Sequence, residues 1–597
     1  MRKNRSKESN RKPAQNKTFH CVNYSMTFRY VHGTLLHVRP SSCYHKRMRH
    51  LAKHDYVFLA VCTAVVLLMY GQSLASGFVF DDQNIVDNRA LFMFPNTLSD
   101  IALAPHWSLA SGLYRPVTLL SYWANFVFTG NEAFGFHVVN LLLYIGIGFF
   151  IYRFVTRLTQ NQLTGHLSAL LFLVLPIHSE VVANITGRSE LLTLFFSLLL
   201  FLEFARQDIR WWHSGLWMLL AIGSKETAIA TLPIAILVLY VSEYRRGNLA
   251  TAVASRNFFV FLWHSTKNLV RRFFLPLSAL IIATGTYLVL RFFALGPAHF
   301  FGVRVTLIEN PLFFAEPLSR IATAFSVLWM YVFKTFVPIG LCSDYTYNQL
   351  PVLHSFMNTG VLLGIAIFGG IVFTLFYFVR KKPVLSLSAG ILLTSFLPVS
   401  NLLFPTGAPA GERWFFYPSF GIAILVAYFL TMPLSSKKLF VSKILATGVV
   451  IALVVYAFLT GVRQSDWLSN ERLFASAVAC APMSVLSHSN LGAMYIFKDD
   501  YPEARQELET ARDIAPIYSK GLNNLGLVYW KEGKNEQALA MYHEALKQDF
   551  PYAGAMENLA LLYLSEGKTE DASRWLTLLF DGNQTLVRTF LNTHRLQ

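Results

Sequence analysis

Charge is what this sequence has least of. Only 14% of its 597 residues are Asp, Glu, Lys or Arg, while 54% are hydrophobic. A soluble domain carries about 25% charged residues, so the composition excludes an ordinary water-soluble enzyme. Cysteine is scarce too. Cys21, Cys43, Cys62, Cys342 and Cys480 are scattered without CxxC or metal-ligand spacing, which predicts neither a disulfide framework nor a zinc site. Acid is scarcer than base, 34 Asp and Glu against 51 Lys and Arg. Much of that excess sits in the first 55 residues and in short loops between apolar runs. Basic residues placed there set membrane orientation and contact anionic lipid, so a nucleic-acid partner is not expected.

Long apolar runs are abundant instead. A helix that crosses a bilayer needs about 20 predominantly apolar residues. Such runs recur at 56–75, 136–155, 162–178, 189–206, 211–222, 226–243, 272–293, 356–379, 384–403, 416–432 and 441–461. The first lies far from the N-terminus and lacks a clear small-residue cleavage site, so it reads as a retained anchor. With the basic tail in the cytoplasm, the Arg153/Arg157, Arg206/Arg210 and Arg245/Arg246 clusters fall there as well. One more apolar segment, 320–338, is ambiguous. Were it to cross, Arg380-Lys381-Lys382 and Lys437-Lys438 would lie on the far side; as a peripheral or re-entrant helix it returns both to the cytoplasm. The expected architecture is all-α. A basic tail, 1–55, expected to be disordered, precedes a polytopic membrane domain, 56–461, of about eleven spans, and a polar helical domain, 462–597.

That last domain repeats itself. "SNLGAMYIFKDDYPEARQELETA", "NNLGLVYWKEGKNEQALAMYHEA" and "ENLALLYLSEGKTEDASRWLTLL" align at a fixed period of about 34 residues. Asn490, Asn524 and Asn558 correspond, as do Tyr495, Tyr529 and Tyr563; Gly533 and Gly567 mark the turns, where the first copy has Asp499. This is the tetratricopeptide pattern, a solenoid of paired helices whose groove suits an extended acceptor peptide or, alternatively, a packing module. "DWLSNERLFASAVACAP" reads as part of an incomplete leading repeat that joins the array to the last span.

Charges do collect, and on one side. The loops holding Asp81 and Asp82, Arg115, His178 and Glu180, Arg188 and Glu190, Lys225 and Glu226, and Glu412 and Arg413 all face away from the cytoplasm in this topology. Ionisable residues converging at one membrane face make a functional-site candidate. Asp81 and Asp82, followed by Asn84, Asp87 and Asn88, suit one carboxylate to general-base work on a hydroxyl, though a solvated turn is the plain alternative. Arg115, Arg188, Lys225 and Arg413 can stabilise a leaving phosphate. His178, Glu180, Glu190, Glu226 and Glu412 are assigned supporting roles. Arg188 and Glu190 can equally pair with each other, and Arg115 can be an interfacial anchor beside Tyr114, Tyr122 and Trp123. His178 and Glu180 lack a third ligand, so no metal site is expected; a divalent ion on the two Asp residues is possible but not favoured, and no cofactor is assigned.

Several motifs occur in one order: "FVFDDQNIV", "YRPVTLLSYWANF", "FGFHVVNLLLY", "LPIHSEVVANITGRSELL", "SKETAIATL", "FLPVSNLLFPTGAPAGERWFFYPSFG" and "DWLSNERLFASAV". In these the chain resembles the transmembrane and tetratricopeptide-repeat-containing O-mannosyltransferases, a family of GT-C glycosyltransferases, from about Tyr56 to Phe580. The resemblance implies transfer of mannose from a dolichyl or other polyprenyl phosphate to Ser or Thr hydroxyls of a protein acceptor. It puts the family's acidic pair on Asp81 and Asp82, its GR-x-E element on Arg188 and Glu190, its KE element on Lys225 and Glu226, and its ER element on Glu412 and Arg413. It also implies an endoplasmic reticulum membrane in a eukaryote, or an inner membrane with periplasmic repeats in a bacterium. Animal members look longer, with many more repeats than the three or so here. Sequons at Asn184 and Asn583 fall on the far side. Two other classes remain open: a polytopic transporter or lipid flippase, and a non-catalytic membrane scaffold with a partner-binding repeat domain.

Overall fold

The computed structural model describes residues 19–21, 24–26, 29–31, 34–36, 42–83, 89–92, 97–107, 112–249, 257–300, 305–434 and 439–594. Asn84, Asp87, Asn88, Lys437, Lys438 and much of the basic tail lie outside them. Taken by itself, the N-terminal unit, residues 1–61, contains two minimal antiparallel ladders. They pair β1 (Phe19–Cys21) with β2 (Tyr24–Met26) and β3 (Arg29–Val31) with β4 (Thr34–Leu36). Every other regular element is helical.

The membrane domain runs α1 (Ser42–Tyr70), α2 (Pro116–Thr129), α3 (Ala133–Thr159), α4 (Gln162–Leu173), α5 (Arg188–Phe204), α6 (Trp211–Ser224) and α7 (Thr231–Arg245). It continues through α8 (Phe258–Arg272), α9 (Phe274–His299), α10 (Pro317–Phe336), α11 (Thr359–Tyr377), α12 (Pro383–Phe396), α13 (Phe416–Leu434) and α14 (Leu439–Gln464). Among the described residues, α1, α3, α5, α7, α9, α11, α13 and α14 belong to the eight helices long and apolar enough to cross a bilayer. A ninth candidate is α4 with Pro176–Ala183, bent by 57°. Pro176 breaks it, since proline carries no N–H and restricts the residue before it. The carbonyls freed at the break find other donors: Tyr144 Oη reaches Leu173 at 2.9 Å, and Thr460 Oγ1 reaches Val174 at 2.8 Å. Helices α6 and α12, of 14 residues each, are only about 21 Å long. The eleven expected runs are therefore all helical, but length and composition qualify eight or nine as spans. The chain is a multi-pass membrane protein.

Two polar faces terminate the bundle. At one end Glu203 meets Arg206 and His213 at 3.4 Å each, and Glu243 pairs with Arg246 and Arg272. Tyr244 Oη donates to the Arg380 carbonyl beside them. At the other end lie Arg188 and Glu190, sixteen and fourteen positions from Phe204, so about 24 and 21 Å along α5. A hydrocarbon core is about 30 Å thick, so the two polar ends are separated by most of that thickness. Helix α10 is tied at both ends to one loop. Its first turn meets the α10–α11 loop through Ser319 and His354 at 3.0 Å, and its last turn meets the same loop through Lys334 and Tyr345 at 2.9 Å. That loop also reaches Glu412 through Tyr345 Oη at 2.7 Å.

After the last span, α15 (Asn470–Cys480) leads into three helix pairs, α16 (Val485–Phe497) with α17 (Tyr501–Ile514), α18 (Ser519–Lys531) with α19 (Asn535–Gln548), and α20 (Ala553–Ser565) with α21 (Thr569–Leu579). A further helix, α22 (Gln584–His594), packs Val587 and Phe590 with Leu576 of the third pair. Gly533 and Gly567 have φ of +76° and +75°, and Asp499 has +61°. Asp is one of the few non-glycine residues that enters this region readily, which is why it can replace glycine in the first copy.

Candidate active site

The acidic turn is held from the far end of the chain. Phe80 has φ of +57°, a conformation costing about 1–2 kcal/mol for a side chain of this kind. Its ring packs edge-on against Trp467 and Phe474, and its N–H donates to Asn470 Oδ1 at 2.7 Å. Trp467, Asn470 and Phe474 come from the "DWLSNERLFASAV" motif, whose role is thereby structural: it clamps the turn. The clamp sends the two acids in different directions. Asp82 is fully buried; its Oδ1 accepts the Thr186 N–H at 2.8 Å and its Oδ2 the Val79 N–H at 3.4 Å. Burial pushes its carboxyl well above the usual carboxylate range, and the charge of Asp81 adds to the shift. Asp81 keeps its side chain 20% exposed and pairs with Arg413 Nη1 at 3.0 Å.

Arg413 is shared. Its Nη1 lies 3.2 Å from Glu180 Oε1, and its backbone N–H donates to Glu180 Oε2 at 2.9 Å. Glu412, one residue earlier, turns the other way. It is buried and accepts Tyr345 Oη at 2.7 Å and the Cys342 N–H, with Arg463 Nη2 at 4.0 Å. Here the structure departs from the sequence reading: Cys342 and Cys480 form a disulfide, Cα–Cα 5.7 Å, across 138 residues of chain. Spacing alone cannot reveal such a pair, because only the fold brings the α10–α11 loop onto α15. The bridge ties the Glu412 surroundings to the helix that begins the repeat domain. Backbone bonds from Val485 to Tyr347 and from Asn348 to Met483 continue the junction.

The other cations extend from this pair as a ribbon. Arg115, just before the proline that starts α2, grips Glu226 bidentately, Nε to Oε2 at 3.0 Å and Nη2 to Oε1 at 2.7 Å. Lys225 forms a buried ion pair with Glu190, and burial pulls its ammonium below the usual range against the opposing pull of Glu190. Glu190 lies within electrostatic range of both Arg413 and Arg115. Asp81, Arg413 and Glu226 are its accessible members, with side chains 20%, 31% and 34% exposed, and Arg115 is buried beside Glu226. Glu180, Glu190 and Lys225 stand behind them.

Two expected site residues lie back from the accessible edge, one of them, His178, expected only in a supporting role. Arg188 is fully buried and its guanidinium is spent on protein acceptors: Asn140 Oδ1 at 2.9 Å, Asn125 Oδ1 at 2.7 Å, and the carbonyls of Phe136 at 2.8 Å and Ser121 at 3.2 Å. It also stacks on Tyr122 and Phe136. In this geometry it joins α2, α3 and α5 and leaves no face for a phosphate; nor does it pair with Glu190. Gly187 before it is dictated by space, since a Cβ there would meet the Val181 carbonyl at 2.2 Å. His178 is likewise buried, bonded to Tyr144 Oη at 2.9 Å and Ser419 Oγ at 2.8 Å within a cage of aromatic rings. Asn184 is buried and accepts Thr186 N–H and Oγ1, so its sequon is closed in the folded chain, whereas Asn583 is exposed. Among the described residues no three His, Cys, Asp or Glu side chains gather as metal ligands. Asn125, Asn140 and Tyr345 escaped the sequence reading because single amides and tyrosines in apolar runs carry no spacing signal.

Fold and site together define a class: a polytopic helical membrane protein with a charged ribbon at one bundle end and a short tetratricopeptide solenoid bonded to it. Comparison with known proteins narrows the class. Residues 116–266 match the family model described as dolichyl-phosphate-mannose-protein mannosyltransferase, and 521–547 match a tetratricopeptide repeat. The chain is 27% identical over 481 residues to protein O-mannosyl-transferase TMTC4 of Homo sapiens, covering 72% of this chain and 63% of the relative. It is 27% identical to protein O-mannosyl-transferase F38B6.6 of Caenorhabditis elegans (77% and 63% covered) and 26% to TMTC3 of Mus musculus (82% and 55%). The chain thus spans under two thirds of the length of these curated relatives. It is similar over most of its length to these protein O-mannosyl-transferases, and its ordered motifs resemble the same family.

Proposed function

We infer that this protein is a membrane glycosyltransferase that moves mannose from a dolichyl or other polyprenyl phosphate to Ser or Thr hydroxyls of a protein acceptor. The observation that carries the reading is the accessible edge of the ribbon, where a carboxylate, Asp81, pairs with the Arg413 guanidinium at 3.0 Å, with the Arg115 guanidinium on Glu226 further along the same ribbon. Asp81 accepts the proton of the acceptor hydroxyl as its oxygen attacks the anomeric carbon. The bond from that carbon to the phosphate oxygen breaks, and the polyprenyl phosphate leaves with the electron pair. Arg413 and Arg115 meet the charge that develops on it, in surroundings where few waters compete. Glu180 and Glu226 hold these guanidinium groups in place, and Lys225 with Glu190 supports them from behind. Asp82, buried on backbone N–H groups, orients the turn and is not the base. The reaction proceeds without a resident divalent ion. Its partners are the bilayer, the carrier lipid and an extended peptide lodged in the repeat domain. Disulfides persist in oxidising compartments, so the Cys342–Cys480 bridge supports a lumenal or periplasmic site, in the endoplasmic reticulum of a eukaryote or the inner membrane of a bacterium.

The test is transfer of labelled mannose from polyprenyl phosphate to a Ser/Thr-rich peptide by the detergent-purified chain, with Asp81→Asn and Asp82→Asn alongside. General-base catalysis contributes about 10²–10⁴-fold, so Asp81→Asn is expected to lose at least a hundredfold in kcat, with wild-type turnover unaffected by EDTA. Transfer by Asp81→Asn at the wild-type rate removes the base assignment, and absence of any transfer by folded wild type removes the reading.

A further inference from the structure

His106 has no role in the chemistry derived so far, yet its loop closes two residues before Arg115, and the ring lies within electrostatic range of Arg115, Glu226 and Lys225. The ring is 1% exposed, and among the described residues neither of its nitrogens has a hydrogen-bond partner. Leaving a buried polar group so costs about 1–3 kcal/mol, and native sites with this feature usually hold something that satisfies it. The backbone fixes where the ring goes. The His106 N–H donates to the Leu113 carbonyl at 2.8 Å, closing the loop two residues before Arg115. The ring stacks on Trp107 with centroids 5.6 Å apart. Arg115, Glu226 and Lys225 are its charged neighbours. Burial, and next the Arg115 guanidinium, hold its pKa well below the usual histidine range, so the ring is neutral.

A neutral imidazole carries one N–H donor and one lone pair. The two nitrogens point to different sides of the ring, so a ligand that satisfies both offers an acceptor and a donor set apart, spanning the ring edge between them. Beside it, Arg115 favours an anion, and the part-exposed carboxylate of Glu226 favours hydroxyls. A glycosyl phosphate presents all of these within one small group.

We propose that His106 is a donor-binding residue that recognises the glycosyl phosphate itself, its ring N–H on a phosphate oxygen and its lone pair on a hydroxyl of the attached sugar. This rests on the proposed transferase reading and adds to it a basis for telling loaded carrier from spent carrier. Released polyprenyl phosphate keeps the first contact and loses the second, so the product binds more weakly than the donor at this point and departs.

The experiment measures binding of polyprenyl-phosphate mannose and of polyprenyl phosphate to the full-length chain in detergent, with the KM for donor measured in parallel. His106→Phe keeps the flat ring and removes both polar atoms; His106→Gln keeps a donor and an acceptor. His106→Phe is expected to weaken mannosyl-lipid binding about tenfold or more, the loss attached to one or two hydrogen bonds. It is expected to weaken bare polyprenyl phosphate less, to raise KM more than it lowers kcat, and to be rescued by His106→Gln. A photoreactive diazirine on the sugar should label the 104–107 peptide of wild type, a readout that does not depend on how well His106→Phe folds. Unchanged donor binding by folded His106→Phe, as expected if the ring holds only a water, overturns the proposal, as does labelling elsewhere. Failure of wild type to bind any lipid-linked sugar would instead overturn the transferase reading, which separates the two.

Discussion

Arg188→Lys separates the two roles available to this arginine. As a phosphate ligand, Arg188 should tolerate lysine in folding and show its loss in donor KM. As the buried hub described above, it should do the reverse. Its guanidinium satisfies Asn140 Oδ1, Asn125 Oδ1 and the Phe136 carbonyl at 2.7–2.9 Å, from fixed directions in one plane. A lysine ammonium at the end of a narrower stem keeps one such contact and loses the planar stack on Tyr122 and Phe136. Two acceptors are then buried without donors, at about 1–3 kcal/mol each, giving a destabilisation of about 2–6 kcal/mol. The assay is the thermal midpoint of the detergent-purified protein by loss of a monodisperse chromatographic peak, run with donor KM on the fraction that stays folded. A drop of several degrees with donor KM within twofold of wild type is expected. A wild-type midpoint with a raised KM would refute the structural assignment and return Arg188 to the substrate.

Two further outcomes follow from the same geometry. Asp82 is held above the ordinary carboxylate range in the folded chain, so between the unfolded and folded values the native state binds the extra proton. Stability therefore falls as pH rises through that window, by at most about 1.4 kcal/mol per pH unit. Asp82→Asn should flatten the dependence of thermal midpoint on pH, and parallel curves for mutant and wild type would contradict the burial of an ionisable group there. Cys342→Ser opens a link across 138 residues, for which the chain-entropy argument gives about 4–5 kcal/mol as an upper figure. The thermal midpoint should drop in Cys342→Ser and in reduced wild type alike, with Cys342 and Cys480 alkylated only after reduction; insensitivity to reductant would contradict the bridge.

The sequence by itself determined the parts governed by local pattern. Apolar runs had to become helices because a bilayer leaves no water for backbone groups, and the 34-residue period had to become stacked helix pairs because no single repeat buries its own face. It also brought the right charges to one membrane face, since Lys and Arg in short loops set orientation and the acids and cations of the site sit at the opposite ends of the same helices. Direction and partner were left to the tertiary structure. Asp81 and Asp82 are adjacent and chemically identical, and only the clamp by Trp467, Asn470 and Phe474, almost 400 positions away, makes one accessible and buries the other. Arg188 and Arg413 look alike in a motif, yet one is enclosed by α2, α3 and α5 and the other opens onto the site. Span length had the same limit: composition marked eleven runs, Pro176 and the brief 211–222 run already signalled a stop and a short helix, and only packing fixed the 57° bend and the end of α12. The Cys342–Cys480 bridge and the unsatisfied ring of His106 are contacts between segments far apart in the chain or absences of contact within it, and neither leaves a period or a spacing to read.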